Sequence, residues 1–297
     1  MRRILLASLI LLAATAVARA ADAPARVAGL INDPQLAEIS GLAASRRHPG
    51  VLYVHNDSGD PAAIYAISES GERLATLSIA GVTHIDWEDI AAFTLKGKHY
   101  LLIADTGDNG GIRQTLQLHV LPEPERIADQ PLAPAWSITF RWPDGPRDCE
   151  AVAVDAARGQ VLLVGKKRVP PDLLTLRLHP RTQKLQVARR VGSLAGITQP
   201  TQEDLTLNPV YGRYRSQITA ADVSPDGHRL AVLNYRTAYV FARPGKTTWA
   251  QAVARPGTEL HYPWLAQAEA LGWSLDGKAL WISSERRPTP LMWVASP

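Results

Sequence analysis

The sequence predicts an all-β fold: a five-bladed β-propeller in a single domain. Three observations carry that prediction. Five segments share one pattern of short alternating apolar strand, Gly- or Pro-containing turn, more apolar strand and polar exit. Each is followed by further strand-like runs, so four antiparallel strands fit each period, the signature of propeller blades. Pro and Gly punctuate the chain too often for a long helix.

The units begin at Glu38 (EISGLAASRRHPGVLYVHND), Glu88 (EDIAAFTLKGKHYLLIADTG), Glu150 (EAVAVDAARGQVLLVGKK), Thr219 (TAADVSPDGHRLAVLNY) and Glu269 (EALGWSLDGKALWISSE), at spacings of 50, 62, 69 and 50 residues. Third strands are read in AIYAIS, LQLHVL, LLTLRL, AYVFAR and LMWVAS. Fourth strands are read in RLATLSI, AWSITFRW and KLQVARRVG, with a weaker WAQAVA in the fourth unit. The last unit ends after three strands. ARVAGLI (Ala25 to Ile31) is expected to supply its outer strand, joining the two ends of the chain and removing free sheet edges. Residues 195–217 are polar and too short for four strands; they read as a long loop. A sixth blade, the alternative architecture, would have to fit there. SPDG (224–227) and SLDG (274–277) read as hairpin turns.

Residues 1–20 carry Arg2 and Arg3, an apolar run and Ala18-Arg19-Ala20. They read as a secretory signal cleaved after Ala20. The expectation is a periplasmic or secreted monomer with no membrane span after cleavage, residues 21–297 forming the propeller. The formal net charge of +4 falls to +1 once the three leader arginines (Arg2, Arg3, Arg19) are removed, which excludes a broad nucleic-acid surface. The single cysteine, Cys149, excludes an internal disulfide. Asp148 and Glu150 flank it and should raise its thiol pKa, against a nucleophilic role.

In a propeller the first strand of each blade lines the central channel. Glu38, Glu88, Glu150 and Glu269 start those strands, with Thr219 in the fourth unit. Carboxylates converging on one axis repel one another. Protonation, pairing with cations or a bound metal would relieve this, and an all-oxygen set suits Ca²⁺ better than Zn²⁺. These five are the candidate metal ligands. The other reading is that each Glu caps its own blade through backbone N–H groups. Strand two returns to the same face. Its exits hold His55, Asn56 and Asp57 in HNDSGD, and Asp105 and Asp108 in ADTGDN. Further on they hold Lys166, Lys167, Arg236 and Arg286. Asp57, Asp105 and Asp108 are the candidate catalytic acids. The four cations, with His55, Asn56 and Trp87, are the candidate contacts for a small anionic ligand. An unknown protein partner is the alternative occupant. Trp87 offers a ring for stacking, and His55 and His84 could act as bases.

ISGLAASRRHPGVLYVHNDSGD, DWEDIAAF, LLIADTGDN and CEAVAVD resemble a poorly characterised group of exported bacterial β-propeller proteins over nearly the whole mature chain. The architecture also resembles calcium-activated apyrases, five-bladed propellers with a channel Ca²⁺. DWEDIAAF followed by YLLIADTGDN, and CEAVAVD followed by VLLVGKKR, look like their Glu-bearing strands. That resemblance implies Glu88, Glu150 and Glu269 as metal ligands, with Glu38 and Thr219 completing the ring. Asp-[Ser/Thr]-Gly-Asp matches no apyrase signature. Five-bladed glycosidases also place acids on inner strands, which keeps a carbohydrate ligand open. The expected function is ligand binding beside a channel cation; the alternative is Ca²⁺-dependent hydrolysis of phosphate esters or nucleotides.

Overall fold

The structure, a computed structural model, describes residues 25–180, 182 and 184–296; the expected leader lies outside the described residues. Five separate sheets, each with four antiparallel strands, form five blades. Their inner strands are Ile39–Ala44, Trp87–Leu95, Ala151–Asp155, Ile218–Val223 and Ala268–Trp273. Each inner strand packs against the next and the fifth packs against the first, so the ring is closed. Among the described residues, 195–217 contains no strand, only the helix Gln202–Leu207 and a 3-10 turn at Gly212–Tyr214. That leaves no sixth blade. No helix of the described residues is long and apolar enough to cross a membrane.

The ring is closed as the sequence predicts. Ala25–Ile31 pairs antiparallel with Thr289–Ala295, from Ala25 opposite Val294 to Ile31 opposite Thr289, and becomes the outer strand of blade five. Two fourth-strand expectations need correction. WAQAVA is a short helix, Trp249–Val253, because the N-cap Thr248 and Gln251 in its first turn form a capping box. The fourth strand of that blade is Thr258–Leu260. KLQVARRVG is divided between blades. Gln186–Val187 joins the edge of blade two in parallel with Trp136–Arg141, and Arg189–Ser193 closes blade three. Blade one likewise gains a parallel edge strand, Gln130–Leu132.

The inner strands need small residues because five of them crowd one axis. A Cβ at Gly272 would lie 2.7 Å from the Leu42 carbonyl oxygen, and one at Gly41 would lie 2.9 Å from the Ile90 nitrogen. The axis is filled rather than open. Asp89, fully buried, accepts hydrogen bonds from the backbone N–H groups of Ile90 (2.9 Å), Val152 (2.8 Å) and Ala221 (3.2 Å), which tie blades two, three and four together. Asp222 accepts from the Trp273 N–H (2.9 Å), linking blade four to blade five, and lies 3.7 Å from the Arg46 guanidinium.

Away from the axis, His119 is 3% exposed on the third strand of blade two, with its Nδ1 2.9 Å from Ser137 Oγ. Burial pushes its imidazole down to about 4. The folded form stays neutral while the unfolded chain takes up a proton below about pH 6.5. The unfolded state then binds more protons, so this group's contribution to stability falls as pH drops from about 6.5 toward about 4, by up to about 1.4 kcal/mol per unit. His119→Gln removes that dependence. Urea unfolding at pH 7 and pH 5 should show the wild-type-minus-variant stability difference falling by about 2 kcal/mol at the lower pH; a constant difference would contradict it.

Candidate functional site at the channel mouth

The site is built by a bulge at the start of the inner strands. In blade one Ile39 pairs with Asn56 and Gly41 with His55, leaving Ser40 between them. The same irregularity isolates Glu88 in blade two, Thr219 in blade four and Glu269 in blade five. In blade three pairing starts at Ala151, opposite Val164 and directly after Glu150. A bulge frees one residue from the ladder and re-aims its side chain. The equivalent residues are therefore Ser40, Glu88, Glu150, Thr219 and Glu269, all buried. Glu38 is displaced from this set: it lies two residues earlier and is exposed, and among the described residues its backbone is engaged by Asn56 and Asp57.

A second tier comes from strand two. The partners of the residues that follow the bulges are His55, Ala104, Val164, Leu233 and Ser283. Two positions further on stand Asp57, Thr106, Lys166, Tyr235 and Glu285. HNDSGD and ADTGDN are thus out of step by one residue: Asp57 matches Thr106, and Asn56 matches Asp105. Their glycines also differ in use. Gly59 has φ +90° and open space around it, as a turn glycine does. Gly107 is buried, and a Cβ there would meet the Asp86 carboxylate and Glu88 Oε1.

The two tiers bring carboxylates together. One oxygen from each of Asp57, Asp86 and Glu88 lies within 4.8 Å of the others, and the same holds for Glu88, Asp148 and Glu150. Glu88 belongs to both triads. Asp86 and Asp148 each stand two residues before a bulge glutamate, as Asp-Trp-Glu and Asp-Cys-Glu. Beside them the Tyr235 hydroxyl donates to Glu269, which also shares a hydrogen bond with Glu285. Lys166 is the buried ammonium among these acids, on Glu150 and 3.4 Å from Asp148 Oδ2; the half-exposed Lys167 lies 3.0 Å from the same oxygen.

Burial, then the charges of Asp57 and Asp148, push Glu88 well above the usual carboxylate range against the pull of Lys166. Burial, then Asp86 and Glu285, push Asp57 up to about 7. Burial and hydrogen bonding to Glu285 raise Glu269 as well. Asp148 goes the other way: Lys166, the Asp108 N–H and Lys167 outweigh its burial. Glu150 Oε2 is buried and has no hydrogen-bond partner.

Several predicted contacts have other duties. Trp87 and His55 are fully buried and meet edge to face at 5.8 Å, so neither can reach a ligand. Asn56 is 3% exposed and bonds the Gln35 carbonyl oxygen and Asp60. Of the catalytic candidates, Asp105 is buried against Arg113 (2.7 Å). Asp108 accepts from the Ile112 and Arg113 N–H groups at 2.8 and 3.1 Å as a turn residue. Both hold the mouth in shape, and only Asp57 faces the cluster. Cys149 is buried with its thiol pushed up to about 12, chiefly by burial.

Lys166 and Tyr235 also line a cleft of about 780 Å³ that opens beside the cluster, together with Lys167, Arg236 and Arg286. The polar segment 195–217 forms one wall. Its short helix is fixed by Asp204, which accepts from Arg215 at 2.7 and 2.6 Å and from Arg236 at 2.7 Å. Burial would raise that carboxyl, but the Thr201 N–H and Arg215 hold it down to about 2. The four candidate cations therefore share the cleft, but Lys166 is also seated on Glu150 in the mouth.

Fold and site together define a five-bladed propeller with an acidic channel mouth. No protein-family model matches the chain, and no curated protein does. Among solved structures, it is similar to the crystal structure of a candidate 6-phosphogluconolactonase from Bacteroides uniformis, with a TM-score of 0.42 and 14% identity. The alignment covers 87% of this chain and 68% of that one. That likeness is too distant to bear on function.

Proposed function

We propose that the protein is a ligand-binding propeller that holds a divalent cation at its channel mouth and an anionic ligand in the adjoining cleft. One observation carries this reading: two carboxylate triads share Glu88, and Glu150 Oε2 is buried there without a partner. Oxygens on opposite sides of one Ca²⁺ sit about 4.8 Å apart, twice a bond of about 2.4 Å, so each triad is sized for one ion. An ion would also offset the repulsion that raises Glu88 and Asp57. Ca²⁺ fits best because the donors are hard oxygens and coordination can be irregular. Asp57, Asp86, Glu88, Asp148 and Glu150 are the proposed ligands; Glu269 is held by Tyr235 and Glu285, and Thr219 donates to the Ala268 carbonyl oxygen.

Thermal unfolding tests it. Calcium at about a hundredfold its Kd should stabilise the chelated protein by about 2.7 kcal/mol, a rise of about 5–10 °C in Tm at this chain size. Glu88→Gln removes a shared ligand and some repulsion. It should unfold in EDTA no earlier than wild type and lose the calcium response. An equal calcium response in Glu88→Gln, or none in wild type, would contradict the proposal.

Hydrolysis of phosphate esters is the second reading, favoured by the placing of the proposed ion, with Asp57 among its ligands, beside a cleft lined by Lys166, Lys167, Arg236 and Arg286 that could clamp a phosphate. Chelator-sensitive turnover of phosphomonoester, phytate or nucleotide substrates, lost in Asp57→Asn, would support it. Absence of turnover on all three would leave the binding role.

A further inference from the structure

We infer that the cleft beside the channel mouth binds a sugar ring carrying a carboxylate or phosphate group. This rests on the reading of that cleft as the ligand site and names the ligand's class. Trp264 and Tyr211, 75% and 57% exposed, present aromatic rings on the lining of the cleft. Large aromatic side chains are seldom left in water within a concave site unless something covers them. The π-face of an aromatic ring is negative, and the C–H edges of a pyranose are weakly positive and apolar, so the two stack.

Amide side chains of Asn208 and Gln267 stand in the same lining. Gln267 Nε2 donates to Glu285 at 2.6 Å and Asn208 Oδ1 accepts from the Tyr211 N–H at 3.0 Å, which leaves Gln267 Oε1 as an acceptor and the Asn208 amide N–H groups as donors for the hydroxyl groups of a sugar. Arg286 supplies the charge. It makes no ion pair among the described residues, and it is held at φ +70°. Gln267, also lining the cleft, has φ +55°. Non-glycine residues in this region are uncommon and concentrate at binding sites. The guanidinium can bind a carboxylate or phosphate oxygen pair in a fork. A cleft of about 780 Å³ has room for two or three sugar rings.

Isothermal titration calorimetry separates the possibilities, in EDTA and again with Ca²⁺. The probes are trigalacturonate, glucose 6-phosphate, neutral cellotriose and AMP. Trigalacturonate or glucose 6-phosphate should bind at least about tenfold more tightly than cellotriose, and whichever binds identifies carboxylate or phosphate as the anionic group. Trp264→Ala, at an exposed position, and Arg286→Gly, which suits the positive φ, should each weaken that binding by about tenfold or more. Binding that survives EDTA but falls in these variants upholds the sugar site even if Glu88→Gln shows the ion to be wrong. Failure of both anionic sugars to bind, equal binding by both variants, or binding of AMP alone would overturn the inference.

Discussion

Replacing Asp89 by alanine is expected to lower the unfolding free energy by about 3–5 kcal/mol. Its carboxyl is the acceptor for three backbone N–H groups from three blades, in an axis closed to water. A buried donor left unpaired costs about 1–3 kcal/mol, and alanine would leave three. Removal of a buried acid recovers part of that, since burial itself pushes Asp89 well above the usual range. Asparagine at this position provides the discriminating comparison. Oδ2 serves Val152 and Ala221, and Oδ1 serves only Ile90. An amide with its oxygen in the Oδ2 place keeps two acceptor contacts, so Asp89→Asn should lose about half as much as Asp89→Ala. Denaturant unfolding of the three proteins checks the order. An alanine variant within about 1 kcal/mol of wild type would mean that the burial of the acid offsets its hydrogen bonds entirely.

Replacing Gly107 by alanine is expected to cut calcium stabilisation by at least about half. The new Cβ would lie 2.3 Å from Asp86 Oδ2 and from Glu88 Oε1, so both carboxylates must move. Overpacking of this kind costs about 1–3 kcal/mol, and displacement of the shared ligand should weaken calcium binding more than tenfold. Gly59→Ala is the matched control. It lies in the echoed motif, at φ +90° with no neighbour within 4 Å. Alanine there costs about 1–2 kcal/mol of backbone strain and should leave the calcium response intact. Both variants are read by thermal unfolding with calcium and with EDTA. Equal calcium responses in the two would remove Gly107 from the site.

Much of the fold was legible in the sequence because the repeat is written in strand and turn chemistry. Blade count, inner strands and the closing strand Ala25–Ile31 all followed from apolar periodicity. Thr258–Leu260 is not legible because a three-residue strand has too little pattern, and WAQAVA is misleading because Thr248, the N-cap that makes it a helix, precedes the apolar run. The site was legible in part. Glu88, Glu150, Thr219 and Glu269 were aligned correctly. Glu38 was not, because the bulge that defines the position falls on Ser40, which carries no charge to mark it. Asp86 and Asp148 carry a signal in the sequence: Asp-x-Glu occurs at both places, two residues before each mouth glutamate. The aspartate echo pointed to the right face with the wrong register. Only the structure shows that Trp87 and His55 are core residues, because burial depends on the neighbouring blade.

Anomalous scattering from crystals grown with calcium tests the central claim most directly. The expected result is a peak within about 2.3–2.6 Å of a Glu88 carboxylate oxygen, with oxygens of Asp57 and Asp86 or of Asp148 and Glu150 completing the shell. A mouth with no peak, and Lys166 still seated on Glu150 at saturating calcium, would contradict it.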